Sequence, residues 1–135
     1  MNKKFQDTLQ YKMERRIKNL NGQAVLFKDV SYLSGKTQVS RVLHKLVKEE
    51  KLIKIGYGIF VKPLFYSERL KKPVIDFVSA SKEALNKLDV KWELGKFAQD
   101  YNAGRSTQVP VKTSIKLNSR FARHLSYGNM KLYYE

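Results

Sequence analysis

The sequence predicts an α+β fold in two parts, residues 1–63 and residues 64–135. Two rhythms and one charge pattern carry that expectation. Within "KTQVSRVLHKLVKEEKLIKIGYGIFVKP" (36–63), Val39, Val42, Leu43, Leu46 and Val47 recur at the spacing of a helix with one buried face. From Leu52 onward the pattern alternates instead, around a Gly-Tyr-Gly turn. Basic residues are spread over both stretches, in a chain of 135 residues with 27 Lys and Arg against 12 Asp and Glu.

A formal net charge of +15 repels itself and does nothing for folding. It speaks to partners: nucleic acid, an anionic membrane face or an acidic protein. A hydrophobic fraction of 42%, with 8 Tyr, 7 Phe and 1 Trp, is enough for a packed core and unlike a disordered basic tail. The absence of cysteine excludes disulfides, cysteine-based zinc sites and thiol catalysis, and fits the reducing cytoplasm that is the expected location. No apolar run approaches the roughly 18 residues of a membrane span. The start, "MNKKFQDTLQYKMERR", is basic but lacks the apolar stretch of a secretory signal, so no membrane partner is expected.

The elements follow in order. Phe5, Leu9, Met13, Ile17 and Leu20 form one stripe, predicting a helix over 5–20 that ends in "NLNGQ". "AVLFKDVSYLSG" reads as a brief extended piece at 24–27 and a short helix at 28–33, closed by Gly35. The third helix is expected over 36–50. Strands at 52–55 and 59–62 join at Gly56-Tyr57-Gly58, where glycine permits the positive φ of a tight hairpin. Helix, short helix, helix, hairpin, with only "SGKT" between the second and third helices, is the order of a winged helix-turn-helix. In that arrangement the third helix enters the DNA major groove and the hairpin lies along the backbone.

The second part is expected to be small and mixed α/β. "LFYSERLKKP" (64–73) reads as a connector. Val74, Phe77, Val78, Leu85 and Leu88 mark a helix over 74–88. "VKWEL" reads as a strand, "GKFAQDYNAG" as a short helix, and "VPVKTSIKLN" and "MKLYYE" as alternating strands. Residues 1–62 hold 14 basic and 5 acidic residues, and residues 63–135 hold 13 and 7, so the first part carries the larger surplus.

Side-chain chemistry assigns expected roles on the third helix and hairpin. Arg41 can fork onto guanine O6 and N7, and Gln38 can pair with adenine N6 and N7. Thr37, Ser40 and His44 lie on or beside the same outward face, within reach of base edges or phosphates. Lys36, Lys45, Lys48 and Lys54 suit phosphates, which fix register but not sequence. Tyr57 at the hairpin tip reaches a phosphate or the minor groove, or else is a surface tyrosine serving the turn. The bland alternative for the whole face is a solvated helix surface.

Nothing in the sequence specifies catalysis. His44 and His124 are the only histidines and have no ligand partner at metal spacing. Carboxylates are scattered, and no nucleophile–base motif stands out. An enzyme, a metal or a cofactor is not expected, and Trp92 is expected in the core.

"RRIKNLNGQAVLFKDVSYL", "QVSRVLHKLVKEEKLIKIGYGIFVKP" and "NAGRSTQVP" together resemble the AbiEi-type antitoxin-related family of bacterial type IV toxin–antitoxin systems, over roughly residues 12–110. The resemblance implies a winged-helix N-terminal domain that binds operator DNA, often as paired copies on inverted repeats, and represses its own operon. It further implies an antitoxin activity in the second half, opposing a nucleotidyltransferase-like toxin without a stable complex. Gly104, Ser106, Thr107, Gln108, Val109 and Pro110 match the family's second-half motif, although Arg105 stands where the family more often has leucine. The same "STQ" could be a Ser/Thr turn that begins the following strand. The expected function is a sequence-specific, non-enzymatic repressor of antitoxin type. A basic module for an acidic protein partner and an RNA-binding protein are the alternatives.

Overall fold

The protein is described from a computed structural model, which places residues 8–95, 104, 114–118, 121 and 123–134. It is mixed α+β, with four α-helices and several small sheets among the described residues. Its contacts divide it into two units, Met1–Asp76 and Phe77–Glu135.

In the first unit, helix α1 (Leu9–Asn19) begins where the Thr8 hydroxyl accepts a hydrogen bond from the Tyr11 N–H at 3.2 Å. That cap satisfies a donor no intrahelical carbonyl can reach. Strand β1 (Ala24–Leu26) leads directly into α2 (Phe27–Val30), which tightens into a 3₁₀ turn at Ser31–Leu33. Helix α3 (Lys36–Lys48) follows, then β2 (Ile53–Gly56) and β3 (Ile59–Val61). The strands form an antiparallel sheet in the order β1-β3-β2, with Val61 opposite both Ala24 and Ile53 and a register shift between Lys54 and Gly56. Met13 and Ile17 from α1, Val30 from α2, Val39, Leu43 and Leu46 from α3, and Val25 and Phe60 from the sheet bury one another in a single core with Leu52.

The elements are shorter than expected. Phe5 lies outside the described residues. Helix α3 stops at Lys48 instead of Glu50 because Glu50 adopts a left-handed φ of 61°. The chain then folds back, so that the Lys51 and Leu52 N–H groups donate to the Leu46 carbonyl at 2.9 and 3.3 Å. This satisfies a terminal carbonyl and carries Leu52 into the core.

"LFYSERLKKP" departs from expectation. It is not a plain connector but part of a hairpin of β4 (Phe65–Ser67) and β5 (Lys72–Val74), with Phe65 opposite Val74 and Ser67 opposite Lys72. The Ser67 hydroxyl accepts from the Leu70 N–H at 3.1 Å, and Lys71 takes a φ of 53°, so polar residues make the turn without glycine. The first unit therefore extends to Asp76, whereas the sequence places the boundary at Pro63.

In the second unit, α4 (Phe77–Lys87) buries Phe77, Ala80, Ser81, Ala84 and Leu85. Strands β6 (Trp92–Leu94) and β7 (Ser114–Leu117) pair antiparallel, and β10 (Tyr133–Tyr134) joins β7 in parallel. A tight hairpin of β8 (Ser126–Tyr127) and β9 (Met130–Lys131) precedes β10. The helix expected at 95–104 and the strand start expected at 109–113 lie outside the described residues, save Gly95 and Gly104 at the ends of the former.

Candidate nucleic-acid interface

Helix α3 has an inner and an outer side. Val39, Leu43 and Leu46 are buried. With about 3.6 residues per turn, Thr37, Arg41, His44 and Lys48 fall opposite them, and all four are exposed. Lys36, Gln38 and Lys45 are exposed on the flanks, and Ser40 is half-buried. The eight candidates from this stretch thus share one helix, and four of them share its outermost line. Its first turn contains no acidic residue, and Gly35 at the N-cap offers no side chain to the free amides.

The other two candidates stand on the hairpin of the same unit. Lys54 is exposed on β2, and Tyr57, at the tip, is 72% exposed. Gly58 holds a φ of +68°, a left-handed geometry that costs other residues. Its carbonyl accepts from the Phe27 N–H at 3.0 Å, which fastens the hairpin turn to the start of α2.

Glu14, Glu49 and Asp29 of this unit have partners off the outer line of α3. The Lys51 ammonium lies 3.0 Å from the Glu14 carboxylate and 3.6 Å from that of Glu49. The hydrogen bond with Glu14, foremost, raises the Lys51 pKa above its ordinary 10.5. Gln10 also donates to Glu49, at 3.2 Å. Asp29 accepts from the Leu26 N–H at 2.8 Å at the start of α2. Among the described residues, Lys36, Arg41, Lys45, Lys48 and Lys54 form no ion pair, so the outward charge of α3 is not locally neutralised.

Sequence reasoning passed over Tyr32, which is exposed on the 3₁₀ turn before α3. The Arg16 guanidinium sits 6.0 Å from its ring centre, and Arg16 Nε donates to the Asp29 carbonyl at 3.3 Å. The only sequence signal was an aromatic two residues before the Ser34-Gly35 turn.

In the second unit, Gly104 is exposed in a turn with φ +75° and open space around its α-carbon. Ser106, Thr107, Gln108, Val109 and Pro110 lie outside the described residues. Trp92 is half-buried, not fully in the core. Its indole N–H donates to Asn86 Oδ1 at 2.8 Å, and the Lys82 ammonium stands 5.5 Å from the ring centre. A cleft of about 280 Å³ beside it is lined by Asn86, Asp89, Val90, Lys91 and Trp92. His44 and His124 are both exposed. Among the described residues no group of three His, Asp or Glu side chains is placed to hold a metal ion, and no described helix is long and apolar enough to cross a membrane.

No family model, curated protein or solved structure matches the chain significantly.

Proposed function

We propose that the first unit is a winged helix-turn-helix that binds duplex DNA, with α2 and α3 as the helix pair and the β2–β3 hairpin as the wing. The observation that carries this reading is the outer face of α3: Thr37, Arg41, His44 and Lys48 in one exposed line, flanked by Lys36, Gln38 and Lys45, without a carboxylate partner among the described residues. The β1-β3-β2 sheet behind the hairpin supports it too. Arg41 and Gln38 read base edges in the major groove, with Thr37, Ser40 and His44 beside them. Lys36, Lys45, Lys48 and Lys54 hold phosphates and set the register, and Tyr57 meets the backbone at the wing tip.

On this reading the chain is a non-enzymatic transcriptional repressor. The resemblance to AbiEi-type antitoxins supports autoregulation of a toxin–antitoxin operon, with paired copies on an inverted repeat and a nucleotidyltransferase-like toxin opposed without a stable complex. Co-expression with such a toxin, scored by restored growth, checks that part separately.

The DNA reading is tested by titrating duplexes at several salt concentrations. If about five phosphates are neutralised, log K against log salt falls with a slope near −4.5. A flat slope on every duplex ends the DNA reading. Tighter binding to single-stranded RNA than to duplex DNA would move the assignment to RNA.

A further inference from the structure

Arg16 and Tyr32 have no role in the reading above. Arg16, in the last turn of α1, is half-buried, and Tyr32, on the 3₁₀ turn before α3, is 67% exposed. The guanidinium lies 6.0 Å from the tyrosine ring centre, and its Nε donates to the Asp29 carbonyl at 3.3 Å. We propose that the pair is a second phosphate site for duplex DNA, in which the Arg16 guanidinium and the Tyr32 hydroxyl hold one backbone phosphate beside the start of α3. This rests on the DNA-binding reading and adds to it a contact from α1 and the 3₁₀ turn.

Unmet chemistry points to an anion. Arginine carries five N–H donors, and the bond to the Asp29 carbonyl uses one of them. Among the described residues Arg16 makes no ion pair, and the Tyr32 hydroxyl makes no hydrogen bond. The Asp29 carboxylate is turned to the Leu26 N–H, at 2.8 Å. A half-buried cation without a carboxylate has given up solvation and received no counter-charge in return. A tie between α1 and α2 accounts for the Nε bond but not for the charge, since a neutral donor would serve. A phosphate accounts for both, because guanidinium and phenol hydroxyl are each donors to its oxygens.

The same cation prepares the tyrosine. A guanidinium close to an aromatic ring is attracted to it, which narrows the positions open to an exposed side chain. Less ordering is then left to lose on binding.

Placement fits a strand of DNA lying against α3. The 3₁₀ turn that carries Tyr32 packs against both α1 and α3. Ser34 and Gly35, between that turn and the helix, are both extended. Four residues separate Tyr32 from Lys36, so their α-carbons stand at most about 14 Å apart. Each strand carries one phosphate per roughly 3.4 Å of axis, and both residues therefore reach phosphates near one another on the same strand. Neither Arg16 nor Tyr32 is on α3, so the contact sets register and carries no sequence preference.

The test titrates the full chain with duplexes of differing sequence at several salt concentrations, beside thermal melts. Tyr32→Phe removes the hydroxyl and keeps the ring. It should bind every duplex about tenfold more weakly, with the salt slope and the melting temperature of the wild type. Arg16→Gln keeps a donor for Asp29 and removes the charge. It should weaken every duplex alike and make the salt slope shallower by about one, whereas Arg16→Lys should keep the slope. If the wild type binds with a steep slope and either Tyr32→Phe or Arg16→Gln matches it in affinity and slope, the site is overturned while the DNA reading stands. A lower melting temperature for Arg16→Gln with an unchanged slope likewise overturns it, since Arg16 would then serve only to tie α1 to α2. Should the Arg16 variants not fold, Tyr32→Phe decides alone, by its loss or its wild-type affinity. A flat slope for the wild type removes the DNA reading itself, and this site with it.

Discussion

The Phe27 N–H donates to the Gly58 carbonyl at 3.0 Å, tying the first residue of α2 to the turn of the β2–β3 hairpin. Leu26 and Ile59, their neighbours, are already opposite one another in the sheet. The hydrogen bond extends that pairing one step further, to the point where one strand becomes a helix and the other becomes a turn. The hairpin that carries Lys54 and Tyr57 is thus held by the same scaffold that carries α3. If the hairpin is a wing, it is a pre-set one, and little ordering entropy is left to lose on binding.

Gly58→Ala tests that connection. A methyl group there would stand 3.8 Å from the Phe27 side chain, an ordinary contact, so space is not the obstacle. The φ of +68° is, because L-residues pay roughly 1–2 kcal/mol for the left-handed region. The expected outcome in urea titration is a loss of about that size, with weaker duplex binding in proportion to the displaced turn. An unchanged midpoint would mean that the turn relaxes to another conformation freely.

Stability and binding should separate cleanly on α3. Leu43 is 2% exposed within the core, so Leu43→Ala should cost about 2–5 kcal/mol. Arg41 stands on the opposite side, exposed and without an ion pair among the described residues, so Arg41→Ala should change stability by less than about 0.5 kcal/mol. Thermal melts of the two variants decide this. A large loss for Arg41→Ala would place that side chain in the scaffold and remove it from the binding face.

The contrast between those two residues marks how far the sequence could be read. Val39, Leu43 and Leu46 announce α3 by spacing alone, because one buried face dictates the period. Gly58 announces the hairpin because few other residues suit its left-handed φ, whereas Gly56 closes β2 without a positive φ. The β4–β5 hairpin was hidden for the opposite reason: Ser67 and Lys71 make its turn, and its apolar residues remain exposed and show no buried-face alternation. The end of α3 was hidden in Glu50, whose left-handed φ nothing in its chemistry signals. The parallel pairing of Tyr133 with Ser114 joins segments far apart in sequence, and no local pattern encodes such a partner. On the candidate interface, the outward line of α3 followed from periodicity, while the Arg16–Tyr32 pair depends on a tertiary approach between α1 and the 3₁₀ turn.

Base readers and phosphate holders should differ in kind. Arg41→Ala is expected to weaken a specific site by about 1–3 kcal/mol and relax the sequence preference at one position. Lys48→Ala should weaken every duplex alike and reduce the salt slope by about one. Competition binding against randomised sites, repeated at two salt concentrations, distinguishes the outcomes. Equal loss of specific and non-specific affinity in both variants would put Arg41 on the backbone instead of a base edge.

The second unit makes a prediction of its own in alkaline solution. The Tyr134 hydroxyl donates to the Arg123 carbonyl at 2.7 Å, and the Phe121 ring meets the Tyr134 ring edge-on, with centres 6.0 Å apart. Burial in this setting pushes the phenol pKa up from 10.0 to about 12, because a phenolate there would lose solvation. The neutral phenol is therefore favoured in the folded chain. Below pH 10 both folded and unfolded chains keep the proton, and the contribution to stability is fully present. Between pH 10 and about 12 the unfolded chain loses its proton first, so stability falls as pH rises through that window. Tyrosinate absorbance should show a late-titrating step, and Tyr134→Phe should remove that step while flattening the alkaline loss of stability. The substitution also deletes the donor to Arg123, which sets a modest cost of about 1 kcal/mol at neutral pH. If Tyr134→Phe leaves the late titration in place, the retarded phenol belongs to another tyrosine, and the docking of β10 through Arg123 does not control it.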